Sequence, residues 1–494
     1  MGIETELKLS LDPTEIPQLL KHPLLAMPPK RQKLHNTYFD TPDLALAQQK
    51  VAVRERRILR KTLLTVKTAN NSEGGVSQRS EWEAPTLPGQ FDFSTLIDDV
   101  ALVEKLTPIA PSLIPVFTTN FSRRLWNLTF RKATIEVALD QGLISVSRDG
   151  MNREQPICEL ELELKDGSPV MLFALARMLS REVRLHPANE SKAARGYTLF
   201  LDQPITPVRG DTLLINPDDN TIATFIKIAR SCISQLQANE QGIHTPQKEE
   251  YIHQARVALR RLRTALRLFS DTLPAGFADR WSHAWREIAQ ELGDARNWDV
   301  FCSEQIPMLD KDLGEQPDLV SLRSFAHQRR RESHESAENY LKSKQYSLQI
   351  ISFCEALLML KDSKESIRGY ATKSLKRRHK RFIAGARIAH TLDAEARHEV
   401  RIDLKKLRYT LDFFESLYPR KRVQAFSRMM ANTQALLGHM NDLATSELLM
   451  AERHLPTIDV PMAWAKGRMS AYLDMLPNAL KPVIGQAVPW EKRS

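Results

Sequence analysis

The sequence contains few cysteines and no long uncharged hydrophobic segment. Its four cysteines, at positions 158, 232, 302 and 354, are far apart and show no paired spacing. This distribution argues against a disulfide framework or a zinc site and fits a reducing compartment. No uncharged apolar run reaches the roughly 18 residues that a membrane helix needs, and the N-terminus shows no basic region followed by an apolar one. We therefore expect a cytoplasmic protein.

Acidic residues are outnumbered by basic ones. The 494 residues include 70 Lys and Arg against 60 Asp and Glu, which gives a formal net charge of +10 and a pI near 9.3. Such an excess predicts a polyanionic partner, and composition alone leaves nucleic acid, phosphate polymers and acidic membrane surfaces open. The length predicts two or three domains.

Two kinds of periodicity divide the chain. Residues 1 to about 200 show many short stretches in which polar and apolar residues alternate, as in strands, whereas the pattern beyond about residue 218 is helical. The segment between them contains two prolines and a glycine and has no period, which is typical of a linker. We expect an α+β protein with a β domain over 1–202, a linker over 203–217 and an all-α domain over 218–490.

The helical half contains an internal repeat. His253, Arg256 and the run 260–263 recur with the same spacing as His398, Arg401 and the run 405–408, which is a period of 145 residues. A Leu-Gly pair ends 40 residues after each histidine. Matching order and offset predict a duplicated unit, and the long period favours two helical bundles over a solenoid.

Charged residues in the N-terminal half alternate with apolar ones. In a strand, Glu4, Glu6 and Lys8 would share one face, opposite Leu7 and Leu9. Similar sorting recurs in the segments 54–56, 65–67, 79–83, 135–140 and 159–164. One interpretation is a sheet with a solvated, ion-paired face. However, acids cluster on some strands and bases on others, which favours a site for divalent cations on one wall and a polyanion on the other.

An ordered set of motifs carries a family resemblance. Glu4-x-Glu6-x-Lys8 resembles the ExExK opening of the CYTH superfamily, the triphosphate tunnel metalloenzymes. The remaining matches, in chain order, are Tyr38-Phe39-Asp40-Thr41-Pro42, Val53-Arg54-Glu55-Arg56, Thr65-Val66-Lys67, Arg79-x-Glu81, Ala138-Leu139-Asp140-x-Gly142, Glu159-Leu160-Glu161-Leu162-Glu163 and Ser191-Lys192-x-x-Arg195-Gly196-Tyr197. The resemblance implies an eight-stranded antiparallel tunnel, with surrounding helices, that holds a linear triphosphate and one or two divalent metals.

The resemblance also implies a role for individual residues. The metal, Mg²⁺ or Mn²⁺, would be held by Glu4, Glu6, Glu159, Glu161 and Glu163. The phosphates would be held by Lys8, Arg54, Arg56, Lys67, Arg79, Arg123, Lys192 and Arg195. For Glu81, Glu136 and Asp140 the choice between metal binding and orientation of the bases stays open, as does the choice of Arg123 or Arg124 as the residue that faces the lumen. Such a tunnel would act by positioning and charge neutralisation.

The repeated helices of the second half each carry a basic stripe. His253, Arg256, Arg260, Arg263 and Arg267 step by three and four residues and would share one helix face. A solvated face is the usual explanation of a charge run, but such faces normally mix both signs. Metal binding by the two histidines is disfavoured because each lies beside arginines with no second ligand four residues on.

The His-Arg-Arg/Lys repeat resembles the CHAD domain, a conserved-histidine helical domain often fused behind CYTH domains. The resemblance implies binding of inorganic polyphosphate between the two bundles. The residues that it implies are His253, Arg256, Arg260, Arg263, His398, Arg401, Lys405 and Arg408. Nucleic acid is the competing partner, and it is disfavoured because Tyr409 is the one aromatic residue interleaved with the stripes.

The sequence as a whole resembles bacterial CYTH–CHAD inorganic triphosphatases. We expect hydrolysis of inorganic triphosphate to diphosphate and phosphate with Mg²⁺ or Mn²⁺, polyphosphate binding by the second domain, and no membrane partner. Other triphosphates remain open as substrates: thiamine triphosphate, RNA 5′ ends, or ATP in a cyclase. A non-catalytic polyphosphate-binding protein is the alternative of a different class, and the set of inward carboxylates argues against it.

Overall fold

A computed structural model describes residues 2–68, 76–148, 150–245, 248–314, 316–451 and 458–491. The strands are β1 (Gly2–Leu11), β2 (Lys30–Asp40), β3 (Val51–Ile58), β4 (Lys61–Thr68), β5 (Val76–Pro85), β6 (Ile114–Phe130), β7 (Ala133–Arg148), β8 (Met151–Asp166) and β9 (Leu185–Pro187). The helices of the first 202 residues are α1 (Ile16–Leu19), α2 (Ala45–Gln48), α3 (Phe93–Leu96), α4 (Val100–Leu106), α5 (Val170–Leu179) and α6 (Lys192–Leu201).

The rest of the chain is helical. Its helices are α7 (Thr221–Glu240), α8 (Lys248–Leu268), α9 (Phe277–Ala284), α10 (Arg286–Val300), α11 (Ile306–Leu313), α12 (Pro317–Leu341), α13 (Lys344–Leu358), α14 (Ile367–Ile388), α15 (Ala394–Phe414), α16 (Arg420–Ala451) and α17 (Asp459–Gly485). Among the described residues, none of these helices combines the length and the hydrophobicity that a membrane crossing requires.

Eight antiparallel strands close into a barrel. Their order is β5-β4-β3-β2-β6-β7-β8-β1, and pairing of β1 with β5 joins the two ends. The register places Glu4 opposite Arg79 at this closure and Lys8 opposite Glu161 on the other side of β1. The short β9 pairs with the end of β1 as a ninth strand that the sequence analysis did not anticipate. The predicted eight-stranded tunnel is confirmed.

Alternation along each strand separates the two faces of the barrel. Leu7, Leu9, Leu160 and Leu162 are fully buried on the outer face, where they exclude water together with the surrounding helices. The charged residues between them therefore point into the lumen, because successive side chains of a strand point to opposite faces.

The chain divides into two compact units. The first comprises residues 1–206 and 342–359, and the second comprises 207–341 and 360–494. The first unit thus contains α13, a helix that lies inside the range 218–490 assigned above to the second domain. Most of the chain divides where the two kinds of periodicity predict, but helix α13 has helical periodicity and belongs to the first unit.

Helix α13 packs on α5 and β9 within the first unit. Tyr346, Ile350 and Phe353 are fully buried, so the helix buries its own apolar side. Polar contacts fix its position. Arg177 Nε donates to a Glu355 carboxylate oxygen at 2.9 Å, while the Lys344 ammonium donates to the carbonyl of residue 181 at 2.8 Å.

The second unit is built around the two repeated helices, α8 and α15. On α8 the side opposite the basic stripe is apolar: Leu259, Leu262 and Leu266 are buried, as is Phe269 directly after the helix. The Phe269 ring stacks on Tyr370 of α14, with 5.1 Å between the ring centroids, and lies edge-on to Phe414 of α15. These aromatic contacts hold α8, α14 and α15 together in one core.

The first helix of the helical unit begins with a side-chain cap. The Asn220 side chain accepts a hydrogen bond from the backbone N–H of Ala223 at 2.8 Å and caps α7. Such a cap satisfies one of the backbone donors that the first turn of a helix leaves free.

Candidate functional site

The barrel encloses a cavity of about 510 Å³ that is lined by charged side chains. The lining bases are Lys8, Lys50, Arg54, Arg56, Lys67, Arg79, Arg123, Lys165 and Lys192. The lining acids are Glu4, Glu6, Glu81, Glu83, Glu136, Glu161 and Glu163. Most of these residues lie at alternate positions of the barrel strands, so the period-two pattern of the sequence directly produces a charged lumen.

Helix α6 brings Lys192 to the barrel. Ser191 caps this helix by accepting a hydrogen bond from the Ala194 N–H at 3.1 Å. Gly196 lies against the ring of Phe117, and a side chain at position 196 would collide with that ring. The glycine thus allows α6 to approach the barrel closely enough for the Lys192 ammonium to enter the lumen.

On one side of the cavity, bases of β4 and β5 pair with the acids of β1. Lys67 Nζ lies 3.0 Å from Glu4 and 2.7 Å from Glu81. Arg79 Nε donates to Glu4 at 2.9 Å, and the same guanidinium contacts Glu6. These pairs hold long cationic side chains extended across the lumen, so little reorganisation is needed when an anion binds.

On the other side, three carboxylates converge. Oxygens of Asp140, Glu159 and Glu161 lie within 4.8 Å of one another. The Lys192 ammonium contacts all three, at 2.7 Å from Asp140 and 3.0 Å from Glu161. Burial alone would raise the pKa of Glu161, but Lys192 and Arg123 lower it well below its usual range. Glu161 therefore stays ionised, and the three carboxylates offer the oxygen ligands that Mg²⁺ and Mn²⁺ prefer.

Arg54 has buried donors without acceptors. The residue is only 7% exposed. Its Nη1 lies 3.4 Å from the Tyr38 hydroxyl. Its Nη2 forms an ion pair with Glu81 at 3.6 Å, beyond hydrogen-bond reach, so Nε and Nη2 have no hydrogen-bond partner within the described ranges of the chain. Buried polar groups are nearly always hydrogen-bonded, and an unpaired charged donor is costly. An anion inside the cavity would supply the missing acceptors.

Burial and a neighbouring arginine disfavour the charged form of Arg56. Burial, followed by repulsion from Arg54, lowers its pKa to about 10, although Glu83 acts in the opposite direction. The Glu83 carboxylate lies 3.4 Å from Nη1 of Arg56. Glu83 thus does not offset the burial of Arg56 and its repulsion from Arg54, and phosphate oxygens would supply further negative charge.

The second unit contains a basic groove of about 710 Å³. Helices α8, α14 and α15 supply its bases: Arg256, Arg260, Arg263, Arg267, Arg377, Arg378, Arg381, Arg401, Lys405 and Lys406. In the described part of the chain, Asp403 is the acid that lines it. A smaller adjoining cavity of about 170 Å³ shares Arg256, Arg260 and Lys405. The Gly293 carbonyl holds Arg256 in place by accepting a hydrogen bond at 2.9 Å.

Crowding of like charges disfavours the charged forms of several bases in this groove. Burial and then repulsion from Arg260, Arg401 and Arg256 lower the pKa of Lys405 to about 5. The same causes, burial first, lower the pKa of Arg256 and Arg401 to about 10 and that of His253 to about 4. A polyanion that binds near these side chains would stabilise their charged forms.

Family models assign both halves of the chain. Residues 2–197 match the CYTH domain, and residues 227–451 match the CHAD domain. The chain therefore combines a CYTH domain with a CHAD domain. The tunnel lies in the CYTH domain, and the basic groove lies in the CHAD domain.

Individual relatives are similar to parts of the chain. Over 206 residues, the chain is 35% identical to the inorganic triphosphatase of Haemophilus influenzae, a match that covers 41% of this chain and 56% of that protein. The chain thus spans little more than half the length of this curated relative. Among solved structures, the CHAD domain from the plant Ricinus communis is 26% identical, covering 57% of this chain and 98% of that one with a TM-score of 0.49. A putative adenylyl cyclase from Hippeastrum with a dominant triphosphatase activity is 20% identical, covering 40% and 95%, with a TM-score of 0.31.

The CYTH tunnel gathers most of the residues that the sequence indicated. Seven of the eight predicted phosphate ligands line its cavity, together with four of the five predicted metal ligands. Arg195 lies behind the lining, where Nη1 donates to Glu159 at 2.9 Å, and Glu159 is buried within the carboxylate cluster. Arg123, and not Arg124, faces the lumen, and it donates to Asp140 at 2.7 Å.

The CHAD groove likewise gathers most of its predicted residues. Arg256, Arg260, Arg263, His398, Arg401 and Lys405 line the larger cavity, and His253 lines the smaller one. Arg408 lines neither cavity and instead donates to the side-chain oxygen of Gln434 at 3.3 Å.

Several lining residues were not singled out from the sequence. In the tunnel these include Lys50, Phe121 and Lys165, and in the groove they include Arg377, Arg378 and Arg381 of α14. Tyr38 was quoted only as part of a motif, without a role in the tunnel. Burial alone would raise the pKa of Tyr38, but Arg54, Lys192 and Arg56 lower it. Tyr38 shares the strand face of Asn36, and that alternation was the available signal. For α14, the signal was the high density of bases in residues 371–381.

Proposed function

We propose that the CYTH domain hydrolyses inorganic triphosphate to diphosphate and phosphate in the presence of Mg²⁺ or Mn²⁺. The observation that carries this proposal is Arg54, whose buried N–H donors point to an anion inside a cavity lined with cations. The identity with an inorganic triphosphatase supports the choice of reaction. A receptor for anions alone would have no use for the three clustered carboxylates of Asp140, Glu159 and Glu161.

The bases of the tunnel would bind and orient the triphosphate. We assign phosphate contacts to Lys8, Arg54, Arg56, Lys67, Arg79, Arg123 and Lys192. Arg195 would act through Glu159, because its guanidinium contacts that carboxylate and lies behind the lining. Phosphoryl transfer requires little from a protein beyond alignment and charge neutralisation, and a ring of preorganised cations supplies both.

The acids of the tunnel would hold the metal. Glu159 and Glu161 belong to the converging cluster, and Glu4, Glu6 and Glu163 lie on the neighbouring strands β1 and β8. When bound, the cation neutralises the phosphate chain and activates water. Lys192 contacts the cluster in the free protein, so its ammonium must leave these carboxylates when a metal binds. A phosphate oxygen is the acceptor it would then take.

The aromatic residues of the tunnel favour an inorganic substrate. Tyr38 stacks on Phe117, with 4.5 Å between ring centroids and 19° between ring planes. The Phe121 ring already carries the Lys192 ammonium at 5.0 Å and the Arg123 guanidinium at 5.8 Å. These contacts already use part of the aromatic surface of Tyr38 and Phe121, which leaves less of it to stack a nucleobase or a thiazole ring. This argument favours inorganic triphosphate over ATP, RNA ends and thiamine triphosphate.

We further propose that the CHAD domain binds inorganic polyphosphate. The lowered pKa values of Lys405 and Arg401 show that the groove concentrates positive charge beyond what its acids neutralise. A ligand made only of phosphate needs charge and no base-stacking surface. Binding would use His253, Arg256, Arg260, Arg263, His398, Arg401 and Lys405, whereas Arg408 would contribute only at a distance. The four free cysteines are consistent with action in a reducing cytoplasm.

The test is a phosphate-release assay on the full-length chain. Inorganic triphosphate, thiamine triphosphate, ATP and RNA with a 5′-triphosphate are compared with Mg²⁺, with Mn²⁺ and with a chelator. We expect rapid release from inorganic triphosphate only when a metal is present. Faster release from an organic triphosphate would contradict the substrate assignment, and no release from any of them would leave the receptor interpretation as the better one.

A further inference from the structure

Helix α14 carries bases and no acid. Between Ile367 and Ile388 the sequence contains no Asp or Glu. Its apolar side is buried in the core of the helical unit, where Ile367, Leu375 and Phe382 are fully inaccessible. Its exposed bases are Arg368, Lys373, Lys376, Arg377, Lys380, Arg381 and Arg387. An exposed helix normally mixes both signs, because pairs of opposite charge three or four residues apart stabilise it.

Most of these exposed charges are not neutralised by the protein. Arg381 Nε lies 2.8 Å from Asp403, and Arg377 approaches Asp271 only to 3.9 Å. Within the described ranges, Lys373, Lys376 and Lys380 form no ion pair. Their spacing of three and four residues places them on one side of the helix. The result is a row of solvent-facing ammonium groups.

This row continues directly from the groove. Arg377, Arg378 and Arg381 of the same helix line the basic groove. Arg368, Lys373 and Lys376 line a shallow depression on the outer surface of α14. From Arg368 to Arg387 the helix is roughly 29 Å long at about 1.5 Å per residue. Continuous positive charge therefore extends from the groove along the length of α14.

We propose that the outer face of α14 binds the part of a polyphosphate chain that emerges from the groove. The inference rests on polyphosphate binding by the groove, and it adds a preference for long chains. The occupant must be a linear polyanion, because the charges form a row and not a cup. The aromatic residues of α14, Tyr370 and Phe382, are buried, so bases of single-stranded nucleic acid would find no stacking surface. The apolar side of the helix is also buried, which removes the means by which amphipathic helices enter membranes.

The inference predicts that affinity depends on chain length. A short polyphosphate that only fills the groove would not reach Lys376 or Lys380, whereas a long one would contact them and release further counterions. Each phosphate contact contributes roughly 0.7 to 0.9 to the slope of log affinity against log salt in nucleic acids. Losing three contacts should therefore lower that slope by about two for long chains.

The experiment reverses three charges on α14 in the full-length protein. The variant Lys373→Glu, Lys376→Glu, Lys380→Glu is compared with a matched control on α16 and α17: Lys421→Glu, Lys466→Glu, Lys481→Glu. All six lysines are exposed, and both variants change the net charge equally. Binding is titrated with short-chain and with long-chain polyphosphate at several salt concentrations. The tunnel is identical in all proteins, so its contribution cancels.

We expect the α14 variant to bind long-chain polyphosphate at least tenfold more weakly, with the short chain affected less than twofold and the control variant affected less than threefold. A version with glutamine at the three α14 positions should show a smaller loss of the same kind, which keeps the test valid if the reversed charges disturb folding. Equal losses in the α14 variant and the control would overturn the inference, as would equal losses for both chain lengths. It would also be overturned if duplex DNA or anionic vesicles responded to the α14 variant while long-chain polyphosphate did not. A separate variant tests the groove itself. If Arg256→Glu binds short-chain polyphosphate as tightly as the unmodified protein, the groove is not the binding site.

Discussion

Polyphosphate binding should be coupled to proton uptake at Lys405. In the free protein, burial and the guanidinium groups of Arg260, Arg401 and Arg256 lower the pKa of this lysine to about 5, although Asp442 acts in the opposite direction. At pH 7 the side chain is therefore mostly neutral. A bound polyanion favours the ammonium form and raises the pKa, so the complex contains a proton that the free protein lacks.

The sign and the size of the effect follow from linkage. Because the complex binds more protons, affinity must fall as pH rises between the pKa of the free lysine and its pKa in the complex. The limit for one group is tenfold per pH unit, or about 1.4 kcal/mol. Between pH 6 and pH 8, Lys405 alone can thus weaken binding by up to about 100-fold. His253, whose pKa burial and then Arg296 lower to about 4, would act in the same direction.

The assay measures the dissociation constant of polyphosphate at pH 6, 7 and 8 at constant ionic strength. Calorimetry in two buffers of different ionisation enthalpy gives the number of protons taken up. The variant Lys405→Met keeps the length of the side chain but cannot be protonated, so it should lose most of the pH dependence. An affinity that stays constant over this pH range, or an equal slope in the variant, would refute the reasoning.

Three further outcomes test the tunnel and the helix that completes its domain. The double substitution Glu4→Gln, Glu6→Gln should abolish metal-dependent triphosphate hydrolysis while the circular dichroism spectrum stays unchanged, and full activity would rule out these acids as part of the metal site. Arg54→Ala should lower kcat/KM by roughly 100-fold, as the loss of a preorganised charge contact does; a loss of only a few-fold would remove Arg54 from the phosphate contacts. Ile350→Ala in α13 should destabilise the first unit by about 2–5 kcal/mol through the cavity it leaves. Triphosphatase activity should then be lost at a lower temperature, and an unchanged inactivation temperature would show that α13 contributes little.

Alternation in the sequence predicted most of the strand side chains that line the lumen. Alternation in each strand decides the face, so Glu6 and Lys8 could be placed inside and Leu7 outside without knowledge of the partner strands. Where two bases are adjacent, as at Arg123 and Arg124, alternation does not decide which of them faces the lumen. The structure decides this case because Arg123 faces Asp140 across the β6–β7 pair.

The features that the sequence did not predict depend on long-range packing. Apolar periodicity predicts that α13 buries one side, but it does not say which surface covers that side. The same limit applies to Arg377 and Arg381, whose charge was visible although their place beside α8 and α15 depends on tertiary contacts. The repeat predicted equivalent roles for Arg263 and Arg408, yet only Arg263 lines the groove. Equal sequence positions in two copies do not guarantee equal surroundings.

The position of α13 in the chain determines when the first unit can finish folding during synthesis. The first unit begins with the N-terminal residues, but it is complete only when residue 359 has been made, 153 residues after the unit's first segment ends at residue 206. At about 5–20 residues per second, translation of that stretch lasts roughly 8–30 s. During this interval the apolar surface of α5 and β9, which Tyr346 and Ile350 later cover, is exposed on the nascent chain. The first unit is thus completed only after residues 207–341 of the helical unit have been synthesised, and a chaperone that binds apolar surface has a defined time in which to act.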